Sequence, residues 1–143
     1  MGRRFAILTQ VIEAWQARDV ERVLAFMADD IVWHYAAAAM PPVRGKAAAR
    51  KLLDRFLADM HGVAWRIFAH AETADRLFVE GVDDYRTPEG HRVATPYAGV
   101  LDFRGDLIVG WRDYVDLGVA ADQKAGRPFT RQVLELLDRP SLG

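Results

Sequence analysis

The stretch Gly110-Trp111-Arg112-Asp113-Tyr114-Val115-Asp116 follows a tight turn and is rich in aromatic and branched side chains, which predicts a β-strand. Alternate residues of a strand share one face, so Asp113 is expected in a row of apolar side chains: Leu107, Val109, Trp111 and Val115. If that row faces the interior, Asp113 is a buried acid. Buried acids are usually either paired or functional, which makes Asp113 a candidate site residue.

The bulk composition is that of a soluble globular protein. The chain has 143 residues, 51% hydrophobic and 27% charged, which predicts one domain over residues 1–143. The formal net charge of −1 gives no reason to expect nucleic acid or an anionic membrane as a partner. No cysteine is present, which excludes disulfides and thiolate chemistry. No signal-like or membrane-spanning run is recognisable, so a cytoplasmic location is expected by default.

Apolar side chains recur at helical spacing in the first part of the chain. Phe5, Leu8, Ile12 and Trp15 predict an amphipathic helix, and Asp19 can cap a second helix whose apolar stripe reaches Met27. The pair Asp29-Asp30 is expected to end that helix, before a short strand over residues 31–35. A third helix is predicted over about residues 46–60.

Beyond Gly62 the hydrophobic period changes from that of a helix to two. Val63, Trp65, Ile67 and Ala69 alternate with Ala64, Arg66, Phe68 and His70, which predicts a strand. Further strands are predicted over residues 77–86 and 91–103, and short helices beyond Gly118 and around Val133. Helices followed by antiparallel strands indicate an α+β domain, with the helices on one face of a curved antiparallel sheet.

A second acid can share the face of the first. If Asp83 points inward from its strand, Asp83 and Asp113 face one apolar cavity and cannot both ionise at low cost. One pKa is then raised, and the pair can share a proton, as general acid–base catalysis requires. Tyr35 could add a hydroxyl that orients water or substrate.

Each of these residues also has a structural interpretation, which the sequence leaves open. Asp113 could pair with an arginine, Asp84 could be the inward residue instead of Asp83, and Tyr35 could be a core aromatic. The four histidines show no metal-ligand spacing, and no glycine-rich phosphate loop is present. No metal or other cofactor is therefore expected.

The chain resembles the nuclear-transport-factor-2-like superfamily, which includes ketosteroid isomerases, SnoaL-type polyketide cyclases and limonene epoxide hydrolases. Its resemblance is closest to the limonene epoxide hydrolases, through the segment 110–116, through Glu80-Gly81-Val82-Asp83, and through Tyr35 followed by Met40-Pro41-Pro42. The resemblance implies a cone-shaped fold with a barrel-like pocket. It covers nearly the whole chain.

The resemblance also implies roles for individual residues. Asp113 would be the general base that activates water, Asp83 the acid that protonates the epoxide oxygen, and Tyr35 a ligand of the water. Two members of the pattern are missing, because the arginine position is Gly81 and the asparagine position falls at or near Ala37. Arg66 and Arg86 are arginines that could reach in instead, and Gly81 with the alanine run is expected to enlarge the cavity.

Three functions follow as hypotheses: hydrolysis of an epoxide on a small apolar substrate, a cyclase or ketosteroid-isomerase-like reaction, and binding of a small molecule without catalysis. The expected substrate contacts are Trp33, Trp111, Tyr85, Met40, Leu53 and Phe56. The resemblance further implies a homodimer through the outer face of the sheet. Its expected contacts are Phe68, Phe78, Val82 and Tyr114.

Overall fold

The computed structural model describes residues 2–142. Its helices and strands, in chain order, are α1 (Arg3–Gln16), α2 (Val20–Ala25), β1 (Met27–His34), β2 (Val43–Arg44), α3 (Lys46–Asp59), β3 (His61–Glu72), β4 (Arg76–Arg86), β5 (Arg92–Arg104), β6 (Leu107–Val115), α4 (Leu117–Lys124) and α5 (Arg131–Leu137). None of these helices is long and apolar enough to cross a membrane.

The strands form one sheet in the order β2-β1-β6-β5-β4-β3. Strands β3 to β6 pair with their chain neighbours in antiparallel fashion, whereas β1 lies parallel to β6. The predicted α+β class is confirmed, and the parallel pair makes the sheet a mixed one. Helices α1, α2 and α3 pack on the inner face, where most of the apolar core lies.

Helix α2 is shorter than its apolar spacing predicts. Asp19 caps it as expected, since its side chain accepts a hydrogen bond from the Arg22 backbone N–H at 3.0 Å. The helix ends at Ala25, however, and Met27 opens β1 by pairing with Ile108 of β6. The prediction that Asp29-Asp30 ends the helix is wrong, because pairing with β6 captures this segment as a strand.

A β-bulge in β6 changes which residues share a face with Asp113. Asp102 pairs with Gly110 but Phe103 pairs with Ile108, which leaves Val109 as the extra residue. The bulge turns Ile108 inward, where it is fully buried, and leaves Leu107 exposed. The predicted row of side chains therefore holds from Trp111 onward and is wrong for Leu107 and Val109.

A second bulge lies in β3, at Phe68. Ile67 pairs with Gly81 and Ala69 pairs with Glu80, so the alternation changes sign between them. Ala69 is exposed, and His70 stacks on Phe5 of α1 with ring centroids 3.9 Å apart. The alternation predicted for this strand is therefore wrong beyond the bulge.

Helix α5 covers part of the outer face of the sheet. Phe68 and Val82 are buried there against Val133 and Leu137 of α5, so the chain itself covers two of the side chains expected in a subunit contact. Their assignment as dimer contacts is wrong for this reason. Phe78 and Tyr114 remain exposed. The homodimer itself stays a prediction.

Candidate active site

A cavity of about 390 Å³ lies between the inner face of the sheet and helices α1 to α4. All four tryptophans of the chain line it. The structure places in its wall all nine residues that the sequence suggested for the site: Asp113, Asp83, Tyr35, Trp33, Trp111, Tyr85, Met40, Leu53 and Phe56. Met40 and Leu117 are exposed members of the wall, so the mouth opens between the loop after β1 and helix α4.

Strand alternation decides which carboxylates enter the cavity. Asp83 faces inward from β4, whereas Asp84 faces outward and binds the guanidinium of Arg92 through two hydrogen bonds of 3.0 and 2.7 Å. Asp113 faces inward from β6. Its neighbour Arg112 lies on the other face and pairs with Asp102 at 2.5 Å, so no arginine neutralises Asp113 from its own strand. Asp83, and not Asp84, is thus the carboxyl of β4 in the cavity wall, and no salt bridge within residues 2–142 joins Asp113 to an arginine.

Among residues 2–142, the side chain that donates a hydrogen bond to the carboxylate of Asp113 is a neutral one. The indole Nε1 of Trp111 donates to its Oδ1 at 2.9 Å. Burial raises the pKa of Asp113 to about 7, the Trp111 hydrogen bond opposes the rise, and the charge of Asp83 adds to it. The indole stabilises the ionised form of this carboxyl, which is the form that a general base requires.

Asp83 is in the opposite situation. Its Oδ1 is buried and has no hydrogen-bond partner among the described residues. Burial, with a smaller contribution from the charge of Asp84, raises the pKa of Asp83 to about 7. Since nothing in residues 2–142 donates a hydrogen bond to that oxygen, Asp83 is the carboxyl that better keeps a proton.

Two site residues were not found from the sequence. Tyr97 lies on the inner face of β5, and its hydroxyl oxygen accepts a hydrogen bond of 2.7 Å from Nε1 of Trp65 on β3. Burial and the nearby charges of Asp113 and Asp83 raise the pKa of Tyr97 well above 10, so the hydroxyl stays protonated. The signal that could have found it is the period of two in β5, where Tyr97 alternates in step with Val93 and Thr95.

Gly81 occupies the position where the resemblance calls for an arginine, and it adds no space to the cavity. A Cβ on Gly81 would lie 2.5 Å from the carbonyl oxygen of Arg66 and 3.0 Å from Cδ1 of Ile67. The space beside Gly81 is filled because the bulge in β3 brings the neighbouring backbone close. The expected enlargement at Gly81 is wrong, and an arginine could not enter without a shift of β3.

The two arginines considered as replacements bind elsewhere. Arg66 donates a hydrogen bond to the carbonyl of Leu137 at 3.3 Å and lies over the ring of Phe68, on the outer face. Arg86 is exposed and donates to the carbonyl of Gly90. Neither belongs to the cavity wall, where Lys124, at the end of α4, is the cationic side chain of the described residues.

The position expected to hold an asparagine also serves the backbone. The N–H of Ala37 donates to the carbonyl oxygen of Asp113 at 2.9 Å, which continues the pairing of β1 and β6 into the loop. Its side chain does not belong to the cavity wall, whereas that of Ala36 does. Ala37 therefore holds the backbone of the proposed base and offers no group to a water.

Helix α4 forms one side of the mouth and is attached to β5 by Gln123. This buried side chain accepts hydrogen bonds from the Ala94 N–H at 2.8 Å and the Thr95 hydroxyl at 3.1 Å, and donates to the Ala94 carbonyl at 3.2 Å. Strand β6 stops pairing with β5 at Tyr97, so Gln123 satisfies backbone groups that β6 leaves free.

In the range 2–142, no three His, Asp or Glu side chains come together as a metal ion would need.

Solved structures with a similar fold support the architecture. A protein of ketosteroid isomerase-like fold from Catenulispora acidiphila, in complex with trimethylamine, is 22% identical with a TM-score of 0.74, over 85% of this chain and 93% of that one. An LEH-like epoxide hydrolase of M. tuberculosis is 23% identical with a TM-score of 0.71, over 92% of each chain. A protein of Shewanella denitrificans, provisionally assigned as a SnoaL-like polyketide cyclase, is 16% identical with a TM-score of 0.80, over 89% of this chain and all of the other.

The family itself is shown by sequence. Residues 8–111 match the family model of the SnoaL-like domain, which is well over half of the chain. The match ends two residues before Asp113, so it supports the fold around the site and does not bear on the role of that acid. Taken with the fold, it shows that the chain belongs to the SnoaL-like domain family of the nuclear-transport-factor-2-like superfamily.

Proposed function

We propose that this protein is a cofactor-independent acid–base enzyme that adds water to an epoxide of a small apolar molecule. The observation that carries the proposal is the unequal environment of two carboxyls in one apolar cavity. Asp113 receives a hydrogen bond from an indole, whereas Asp83 has a buried oxygen without a partner in the described chain. This difference favours a base at Asp113 and an acid at Asp83.

The proposed reaction is a single displacement. Ionised Asp113 removes a proton from a water molecule as its oxygen attacks one carbon of the epoxide. The carbon–oxygen bond of the ring breaks, its electron pair stays on the oxygen, and protonated Asp83 supplies the proton that completes the diol. Asp113 is then protonated and Asp83 ionised, and a proton returns from one to the other through solvent before the next turnover.

The absence of an arginine between the acids has a consequence for pH dependence. Both carboxyls have a pKa raised to about 7 and interact, so the active form with one proton on the pair exists only around that pH. We expect a bell-shaped dependence of kcat/KM centred near neutrality, with loss of the base below the centre and loss of the acid above it.

The experiment is a measurement of diol formation from a panel of terpene and styrene-type epoxides. A single turnover in water enriched in oxygen-18 should place the label in the diol and none in the protein. Asp113→Asn and Asp83→Asn should each lower kcat/KM by about a hundredfold or more. Asp54→Asn, on the exposed side of α3, is the matched control. Turnover that survives Asp113→Asn would exclude that residue as the base.

A second function is favoured by Tyr97. A neutral tyrosine beside a protonated carboxyl can stabilise an enolate while the other carboxylate moves a proton to or from carbon, as in an isomerase or cyclase. This reaction predicts exchange of deuterium into a ketone without diol formation. A ligand held in the cavity without either reaction would favour the third hypothesis, a binding protein.

A further inference from the structure

We propose that the hydroxyl of Tyr97, supported by Trp65, is the hydrogen-bond donor that receives the oxygen atom of the substrate next to Asp83. The inference deepens the proposed function and rests on it for the reaction. It names the class of ligand: an uncharged apolar molecule that carries an accepting oxygen, such as an epoxide, ether or ketone.

The register of the sheet puts Tyr97 between the two acids. Asp83 pairs with Thr95 on β5 and Asp113 pairs with Gly99, and Tyr97 lies between those two partners on the same face. Because Gly99 has no side chain, the carboxyl of Asp113 and the ring of Tyr97 can both lie close to its Cα. The position of its missing Cβ lies 2.8 Å from Oδ1 of Asp113 and 3.2 Å from Cε2 of Tyr97.

The Trp65–Tyr97 hydrogen bond crosses β4 at the position of the missing arginine. Trp65 pairs with Asp83 across β3 and β4, and Tyr97 pairs with Gly81 across β4 and β5. Their side chains meet above β4, at 2.7 Å between Nε1 and the hydroxyl oxygen. The pair thus places two neutral hydrogen-bonding groups above β4 near Gly81, where the resemblance implies a cation.

The hydrogen-bond inventory leaves the Tyr97 proton for a ligand. A tyrosine hydroxyl has one proton to donate, and the oxygen of Tyr97 already accepts from Trp65. In none of the side-chain hydrogen bonds found within residues 2–142 is this hydroxyl the donor, although Tyr97 is buried, with 9% of its surface exposed. The donated indole hydrogen also makes the hydroxyl a stronger donor, because linked hydrogen bonds polarise one another.

Asp83 provides the second half of this site. Its buried Oδ1 has no partner in the described chain, and the carboxyl stands one strand away from Tyr97. Protonated Asp83 and Tyr97 are two neutral donors beside the apolar rings that line the cavity. Two such donors suit a neutral oxygen and the negative charge that develops on it, whereas an anionic ligand would face the ionised Asp113 as well.

The test compares two ligands of the same shape that differ in the accepting oxygen. The probes are 4-phenylcyclohexanone and 1-methylene-4-phenylcyclohexane, in which a CH₂ group replaces the carbonyl oxygen. Binding is followed by quenching of tryptophan fluorescence, since all four indoles line the cavity. The wild-type protein should bind the ketone about threefold to tenfold more tightly than the alkene. Equal affinities, or no detectable binding of the ketone, would overturn the inference.

Variants separate donation from packing. Tyr97→Phe should lower the preference for the ketone at least threefold and change the affinity for the alkene less than twofold. Tyr114→Phe, on the exposed outer face, is the matched control and should keep the preference. An equal loss of affinity for both ligands would show that Tyr97 only packs. If Tyr97→Phe does not fold, the test uses Trp65→Phe and the infrared carbonyl stretch of the bound ketone. Loss of the indole donor should reduce the red shift of that stretch, and an unchanged stretch would overturn the inference.

These outcomes are independent of the proposed hydrolysis. Absence of diol formation from every epoxide, with the ketone preference intact, would overturn the hydrolase and keep Tyr97 as a donor. Diol formation without any preference for the ketone would keep the hydrolase and overturn the role of Tyr97 as a donor.

Discussion

Replacement of Asp83 by asparagine should stabilise the protein, and the stabilisation should grow as the pH rises from 5 to 8. Asparagine has nearly the shape of a protonated aspartic acid and carries no charge at any pH. The change therefore removes the cost of ionising a carboxyl that is buried without a hydrogen-bond partner for its Oδ1 in residues 2–142.

The sign and size follow from the pKa. Folding raises the pKa of Asp83 from 3.8 to about 7, so between these values the folded state binds a proton that the unfolded state has lost. The stability that Asp83 contributes is thus fully present below pH 3.8 and is lost as the pH rises to about 7, by about 1.4 kcal/mol per pH unit. From pH 5 to pH 8 the wild-type protein should lose roughly 2–3 kcal/mol relative to Asp83→Asn.

The assay is urea unfolding of both proteins at pH 5, 6, 7 and 8, followed by far-ultraviolet circular dichroism. The difference in unfolding free energy between them reports on Asp83 and its effect on Asp113, because the histidines and surface carboxyls are common to both. Asp113 acts in the same direction, since loss of the Asp83 charge removes one cause of its own raised pKa. A difference that stays constant from pH 5 to 8, or shrinks, would refute the description of Asp83 as a buried acid that holds its proton.

Two further predictions concern residues around the site. Gly81→Arg restores the residue implied by the resemblance. It should lower the free energy of unfolding by about 3 kcal/mol or more, because its Cβ meets the Arg66 carbonyl at 2.5 Å. Urea unfolding measures this, and a stable, more active variant would contradict the account of Gly81. Gln123→Leu should lower the free energy of unfolding by about 2–4 kcal/mol, because the backbone groups of Ala94 lose their hydrogen-bond partners. It should also weaken ligand binding, because α4 is then held less firmly against β5. Unchanged thermal unfolding would contradict the role of Gln123.

Local patterns were enough to predict most of the elements and to make Asp83 and Asp113 candidates for the inner face, although they left Asp84 open as an alternative to Asp83. Asp83 and Asp113 lie beside apolar residues at a spacing of two, and this period survives folding because the pleat of a strand imposes it. The cavity residues of α3 follow from the helical period in the same way. The resemblance added the separate roles of base and acid for the two carboxyls, which no local pattern contains.

The register of the strands and the burial of the outer face by α5 were not predictable from the sequence, because both depend on contacts between segments distant in the chain. The bulges at Phe68 and Val109 reverse an alternation that is regular in the sequence, and they exist only relative to the partner strands. Helix α5 buries Phe68 and Val82, although their own strands leave them on an outer face.

The amino-acid sequence by itself determined the α+β class and which carboxyls can face an apolar interior beside aromatic side chains, because the helical and strand periods are encoded locally. The tertiary structure alone decided what surrounds each carboxyl. It placed an indole on Asp113, left Oδ1 of Asp83 without a partner in the described chain, closed the arginine position with the backbone of β3, and joined Trp65 to Tyr97 across β4. Each of these depends on the side-by-side register of strands, and register is fixed only when the whole sheet forms.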